Sequence, residues 1–270
     1  MTDPTPVRSL QIDRQLEEVS NDADEAGLAL VREILQEASD RWYGRLVVNV
    51  YDSLSNHRNP DPVVHAATAI ELLWGYVRLR NRLLVTHTDK HAHSITMDPM
   101  SALLAGDYLY ASAISALSSV PETRSSGCFE TLTVALETIT EGFWRTYTPA
   151  SWTGDDSTVF FEETAGNLGE AATLLGAQLA GFDSPDREHF EQFGHGLSTA
   201  RQIEVVLNVP PSEAMVVPPS LDKTSLRTHA ERRRDDANQA LDSLSEAVDA
   251  KRLRTFVETT ASERNHESWD

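Results

Sequence analysis

The stretch Ile70 to Val85, IELLWGYVRLRNRLLV, decides the fold that we expect for this chain. It continues from the apolar segment Val63 to Ala69, and the two together are long enough to form a central buried helix. Three arginines lie in its second half. Arg78 and Arg82 are four positions apart and therefore share one helical face, whereas Arg80 points elsewhere. We expect the other helices to pack around this one.

Apolar residues recur at helical spacing along most of the remaining chain, and no convincing alternating strand is present. β-branched runs such as Leu46 to Val50 lie inside helix-length segments. We therefore predict an all-α protein with about ten helices in a single large bundle. We assign residues 1–24 to an N-terminal extension, residues 25–260 to the helical domain and residues 261–270 to a frayed tail.

Local signals mark several helix ends. Asp98 precedes Pro99 and is a residue type that caps helix N-termini, so we expect a helix to begin there. Gly181 follows an alanine-rich helical pattern and is expected to close that helix. The segment Pro121 to Ser126 is predicted to be a turn between two helices.

The chain is strongly acidic. Its 42 aspartates and glutamates, against 23 lysines and arginines, give a formal net charge of -19. Lysine occurs only at Lys90, Lys223 and Lys251. A dispersed acidic excess with arginine in place of lysine favours a surface adapted to a salt-rich cytoplasm, although an ordinary acidic protein is the alternative. We expect no nucleic-acid partner, because phosphate binding needs clustered basic residues.

Cysteine content and the N-terminus indicate the compartment. Cys128 is the only cysteine, which excludes an intramolecular disulfide and fits a reducing environment. The N-terminal residues contain no apolar core of signal-peptide length. No run approaches the roughly twenty apolar residues that a membrane helix requires. We expect a soluble cytoplasmic protein without a membrane span.

Five segments, in chain order, resemble landmarks of the trans-polyprenyl diphosphate synthases. Leu104 to Leu109 reads LAGDYL and matches the family's AGDYLLA-like helix start almost letter for letter. The other four are AATAIELL at Ala66–Leu73, LGAQLAG at Leu175–Gly181, FGHGL at Phe193–Leu197 followed by Gln202 and Ile203, and the helix Ala230–Leu244. Their shared order makes the resemblance specific.

The resemblance implies a large helical bundle of the isoprenoid synthase type around a central hydrophobic cavity, usually as a homodimer. It also implies condensation of isopentenyl diphosphate with an allylic diphosphate. In that reaction Mg²⁺ neutralises the departing diphosphate and is held by carboxylates from two facing helices. The DDxxD spacing of those helices places the first and last carboxylates on one face.

Both aspartate-rich motifs are replaced in this chain. Aligned on Glu71 to Leu73, the first motif falls on residues 81–85; aligned on Gln202 and Ile203, the second falls on residues 205–209. Glu204 lies one position early, where its side chain would point elsewhere. The six positions that lack the expected carboxylate are Asn81, Arg82, Val85, Val205, Val206 and Val209. This pattern favours a retained scaffold without the original catalysis.

The cations that bind diphosphate in the family are also mostly replaced. The family's GKRxRP segment falls on Arg41 to Leu46, and the basic residue of its KT pair becomes Glu163, ahead of Thr164. The remaining diphosphate-binding candidates are Arg45, Arg78, Arg82 and Gln202. Arg78 and Arg82 would bind a diphosphate or carboxylate directly in place of Mg²⁺, or they form a charged stripe that pairs with acidic neighbours.

A second group of candidate metal ligands follows the central helix. His87, Asp89 and His91 form the densest run of potential ligands in the chain. A loop could bring two imidazoles and a carboxylate to a transition metal. The spacing matches no zinc site, however, and a solvated polar loop is the alternative interpretation.

Three functions are consistent with these patterns. The first is a non-catalytic member of the family, linked to isoprenoid biosynthesis, that forms a homodimer or pairs with an active synthase as a partner or regulatory subunit. The second is an active prenyltransferase with a non-standard site. The third is a binding protein for an isoprenoid or another apolar ligand. We expect no cofactor, except Mg²⁺ if the second hypothesis holds.

Overall fold

The computed structural model describes residues 5–54, 61–86, 98–148, 157–182, 186–209, 216–218 and 221–267. Within these ranges the chain contains helices and no β-strand, which confirms the all-α prediction. The α-helices are α1 (Thr5–Glu25), α2 (Ala29–Glu37), α3 (Trp42–Leu54), α4 (Asp61–Thr86), α5 (Pro99–Ser118), α6 (Glu122–Tyr147), α7 (Ser157–Phe161), α8 (Asn167–Leu179), α9 (Arg187–Asn208), α10 (Lys223–Asp242) and α11 (Ala250–Glu267). A short π-helix, Glu162–Gly166, joins α7 to α8.

The predicted helix ends are correct in two places and wrong in a third. The Asp98 carboxylate accepts a hydrogen bond from the backbone N–H of Ser101 at 2.8 Å, and α5 begins directly after it. Gly181 ends α8 with a left-handed φ of 75°, which glycine adopts without strain. The predicted turn over Pro121 to Ser126 is wrong, because Pro121 itself caps α6 and the helix runs on from Glu122. Proline is compatible with a helix start, so the segment did not need to be a turn.

Helix α4 is the central helix that its sequence predicts. It packs against α3, α5 and α8, and α8 in turn packs against α3, α6 and α9. The α8–α9 crossing is so close that a Cβ on Gly169 would lie 2.2 Å from the carbonyl oxygen of Gly194. Helix α10 covers the other side of α9.

The first and last described helices, α1 and α11, pack on the bundle. Residues 1–24, which we expected to be an extension, contain most of α1, and this helix packs on α2, α3 and α4. Its apolar residues Ile12 and Leu16 recur four positions apart and are buried in the common core. At the other end α11 runs to Glu267, and the boundaries of the extension, the domain and the tail stay predictions.

The π-helix is a feature that sequence patterns did not predict. Asn167 donates from its side-chain amide to the carbonyl oxygens of Glu162 and Glu163, at 3.1 and 3.0 Å. These side-chain bonds add to the backbone hydrogen bond that the Asn167 N–H donates to the Glu162 carbonyl oxygen across the wider turn. Gly166 lies against the His195 ring, where a Cβ would be 2.6 Å from Nε2. The widened turn thus depends on a glycine that lets α9 approach.

Helix α5 has an unusual surface. Among the described helices, it is the one long and apolar enough by length and composition to cross a membrane, yet only 33% of its most apolar window is buried. One helix of this kind is weak evidence for a membrane span, because a soluble protein's packed helix can have the same composition. Its uncovered apolar face therefore calls for another explanation.

Candidate functional site at the end of helix α4

Asn81, at the first position of the replaced metal motif, is bound by the chain itself. Its side chain is 1% exposed. The amide Nδ2 donates to the Tyr147 hydroxyl at 2.8 Å and to the Val217 carbonyl oxygen at 3.2 Å. The amide Oδ1 accepts from the backbone N–H of Val217 at 3.0 Å. The Tyr147 hydroxyl closes the ring by donating to the same Val217 carbonyl at 2.9 Å.

This arrangement requires an amide. A peptide unit offers one donor and one acceptor, and the Asn81 side chain supplies one acceptor and two donors to meet it. A carboxylate at position 81 has no donor when ionised, so one of its oxygens would face the Val217 carbonyl oxygen. The substitution of asparagine for the expected aspartate therefore changes the site from one suited to a cation to one suited to a backbone peptide.

The segment that fills the site is Val216 to Pro218, which we call the strap. All three of its residues are buried, and Val216 and Val217 join the hydrophobic core. The strap has no regular secondary structure, so side chains satisfy the Val217 peptide instead of a helix or sheet ladder. Sequence reasoning missed this contact, because it joins residues 136 positions apart.

Tyr147 connects the strap to helix α6. Its ring lies 6.4 Å from the rings of both Phe143 and Phe160, edge-on to the latter. Burial raises the pKa of the Tyr147 hydroxyl, partly offset by its hydrogen bond with Asn81. The hydroxyl is therefore neutral and able to both accept from Asn81 and donate to Val217.

Arg78 and Arg82 lie on a different side of helix α4 from Asn81, because both contact α2. Arg82 makes a bidentate ion pair with Glu37 of α2, at 3.0 and 2.7 Å. Arg78 is 1% exposed, contacts the same carboxylate at 3.5 Å and donates to the carbonyl oxygen of Ile34. Burial lowers the pKa of Arg78 to about 10, against the opposing effect of Glu37. Both guanidinium groups are thus directed toward α2 and engaged there.

The other two diphosphate-binding candidates are not brought together with Asn81 by any described contact. Arg45, on α3, is half-buried and lies with its guanidinium carbon 5.8 Å from the centre of the Phe256 ring on α11. Gln202, on α9, is buried, and its Nε2 has no hydrogen-bond partner within the described residues. No described contact therefore places Arg45 or Gln202 beside the strap.

The second replaced motif lies at the end of α9. It has valine side chains at the three positions where the family has carboxylates. Val206 is buried in the core, and Val205 and Val209 are half-buried. Glu204 turns away to an ion pair with Arg234 of α10. Mg²⁺ requires oxygen ligands, and valine has none.

These residues do not fit the magnesium that the resemblance implies. Asn81 is committed to the strap, and Arg82 is directed toward Glu37 on another side of α4. In the described part of the chain, no group of three His, Cys, Asp or Glu side chains could hold a metal ion. The candidate ligands His87, Asp89 and His91 lie outside the described residues.

A cluster of charged side chains lies elsewhere in the described ranges, around Glu162 of the π-helix. His195 of α9 contacts one Glu162 oxygen at 2.6 Å, while His229 and Arg233 of α10 contact the other. Burial opposes ionisation, but these three donors hold the pKa of Glu162 well below its usual range. Despite burial, Glu162 and Glu170 raise the pKa of His195 to about 9. At neutral pH the ionised Glu162, His195 and Arg233 side chains therefore tie three helical segments together.

Sequence comparisons with known proteins give one weak match. No protein-family model matches the chain. A short chain isoprenyl diphosphate synthase of Methanocaldococcus jannaschii is 25% identical over 154 residues, covering 53% of this chain and 46% of that protein. The chain thus spans about half the length of the curated relative that it matches.

Solved structures match over nearly the whole chain. A geranyltransferase from Helicobacter pylori, complexed with magnesium and isoprenyl diphosphate, superposes with a TM-score of 0.73 and 16% identity, covering 97% of this chain and 99% of that one. The geranyl diphosphate synthase small subunit from Antirrhinum majus gives 0.67 and 17%, covering 95% and 100%. These likenesses show the isoprenoid synthase fold.

Proposed function

We propose that this protein is a non-catalytic subunit that associates with an active prenyl diphosphate synthase and modifies its activity. The observation that carries the proposal is the hydrogen bonding of Asn81 to the Val217 peptide. The position that would hold the first metal-binding carboxylate is occupied by an amide, and that amide is used to bind the chain's own backbone.

The chemistry of prenyl transfer explains why this observation argues against catalysis. A departing diphosphate carries several negative charges, which metal ions or arginines must neutralise. Asn81, Val205 and Val206 offer no charge, and Arg78 and Arg82 already bind Glu37. The family's reaction is therefore left without its electrostatic component, while the helical scaffold is retained.

The exposed face of α5 supports association with another subunit. Met100 and Leu104 are 62% and 50% exposed, and Leu103 and Tyr110 on the same helix are also exposed. Exposed apolar side chains grouped on one helix favour an interaction site in a soluble protein, and the exposed Asp107 adds one charge on the same helix. One structural neighbour is named as a synthase small subunit, which is the class of role that we propose here. A homodimer through the same face is the alternative assembly.

Co-purification with the active synthase of the same organism tests the proposal. We expect the two proteins to elute as one complex and Leu104→Glu to abolish that complex, because it places a charge in the α5 face. Leu10→Glu is the matched control, since Leu10 of α1 is 70% exposed outside that face. Elution of the two wild-type proteins as separate species would contradict the proposal.

We also propose that the protein works in a salt-rich reducing cytoplasm. The net charge of -19 is distributed over the chain, and arginine provides nearly all of the cations. Arginine ion pairs connect distant helices, as Arg8 of α1 and Arg252 of α11 do at Asp52. Cys128 is buried and free. Salt that screens self-repulsion should stabilise such a surface.

A further inference from the structure

We infer that the strap occupies a binding site for an uncharged ligand that combines a hydrogen-bonding head, such as an alcohol, with an apolar tail. The inference goes beyond association with a synthase, because it assigns a ligand class to the interior of this chain. It rests on three features of the site around Asn81: the chemistry of its polar groups, its apolar walls and the kind of segment that fills it.

The polar groups at the site select an uncharged head. Asn81 presents Oδ1 as an acceptor and Nδ2 as a donor, and the Tyr147 hydroxyl adds a group that can do either. An alcohol can donate to Oδ1 and accept from Nδ2 or from Tyr147. A diphosphate has no hydrogen to donate to Oδ1 when ionised, and its charge would be desolvated without a cation beside it.

The walls of the site are apolar. The Phe143 and Phe160 rings pack around Tyr147, and both are buried in the same core as Val216 and Val217. The strap therefore contributes two branched hydrocarbon side chains and one peptide to the site. A prenyl alcohol has the same combination, with branched hydrocarbon behind one hydrogen-bonding group.

Among the described residues, the Val217 peptide is bonded to side chains and not to another backbone group. The Val217 peptide depends on Asn81 of α4 and Tyr147 of α6, which are 66 positions apart in the chain. A segment without a ladder of its own can leave without unfolding either helix, since the bonds within α4 and α6 are separate. A ligand that satisfies the same two side chains must displace the tethered strap, so removing the strap's buried side chains should favour the ligand.

The test compares farnesol and farnesyl diphosphate as probes, by calorimetry on the full chain. In the double variant Val216→Gly and Val217→Gly the strap loses its buried side chains while Asn81 and Tyr147 stay in place. We expect this variant to bind farnesol at least tenfold more tightly than the wild type, and farnesyl diphosphate more weakly than farnesol. Adding Asn81→Leu should remove the gain.

Equal farnesol affinity of variant and wild type, or tighter binding of the diphosphate, would overturn the inference. If the double variant lacks a cooperative thermal transition, the milder variant Val217→Ala is compared with the wild type instead. Tighter farnesol binding by Val217→Ala would support the inference, and equal or weaker binding would contradict it. Co-purification of the strap variant with the synthase is measured in parallel. Loss of the ligand effect with retained co-purification contradicts the strap inference alone, whereas loss of co-purification by the wild type contradicts the proposed function.

Discussion

Restoring the aspartate at position 81 should destabilise the protein. In Asn81→Asp the hydrogen bond from Nδ2 to the Val217 carbonyl at 3.2 Å becomes a contact between two oxygens. The Tyr147 hydroxyl can donate to only one of these two acceptors, so the other is left unsatisfied in a buried site. A buried unsatisfied acceptor costs about 1–3 kcal/mol, and an ionised carboxylate adds to this. We expect a loss of about 2–4 kcal/mol at pH 8.

The loss should depend on pH with a definite sign. Burial without a cation raises the pKa of the introduced carboxyl above its value in the unfolded chain. Stability is then highest where the group is protonated in both states and falls as the pH rises toward the folded-state pKa. At pH 5 the protonated acid can donate one hydrogen bond, so the variant should lose only about 1 kcal/mol.

Urea unfolding at pH 5 and pH 8 measures the effect. Asn208→Asp is the matched control, because Asn208 is exposed at the end of α9 and should change the free energy of unfolding by less than about 0.5 kcal/mol. The reasoning would be refuted if Asn81→Asp were as stable as the wild type at pH 8. It would also be refuted if Mg²⁺ raised the unfolding midpoint of the variant, because the restored carboxylate would then bind the metal.

Three further predictions concern stability. Glu71 accepts from the Gly44 backbone N–H at 2.7 Å, and burial raises its pKa to about 7. Relative to Glu71→Gln, the wild type should therefore lose up to roughly 3 kcal/mol as the pH rises from about 4.5 to 7, and a pH-independent difference would contradict this. Glu37→Ala removes the carboxylate beside buried Arg78, and because the Glu37 side chain is itself 37% exposed the cost should be about 1–2 kcal/mol in urea unfolding. Glu33→Ala on the same helix should change little, and equal effects would argue against the pairing. Raising KCl from about 0.1 to 2 M should increase the unfolding temperature by about 3 °C or more, and a decrease would contradict the salt-adapted surface.

Much of the fold follows from local sequence. The apolar run in α4, the Asp98 cap and the Gly181 stop are each encoded within a few residues, so periodicity and capping rules locate them. The ordered landmarks predict how such helices are arranged. The π-helix escapes these rules, because its extra residue is stabilised by Gly166 packing against α9 and not by a local signal.

The site is less predictable than the fold. Sequence alone shows that Asn81 replaces a carboxylate, but its partners Tyr147 and Val217 are 66 and 136 positions away. The same limit applies to Arg78 and Arg82, whose common partner Glu37 lies on another helix. Contacts of this kind depend on the assembled bundle, and neither spacing nor composition specifies them.

Product formation tests the central claim most directly. Purified protein is incubated with isopentenyl diphosphate, an allylic diphosphate and Mg²⁺, alone and with the active synthase of the same organism, and prenyl products are separated by chain length. We expect no chain extension by the protein alone, and a changed rate or product length when the synthase is present. Measurable chain extension by the protein alone would contradict the account.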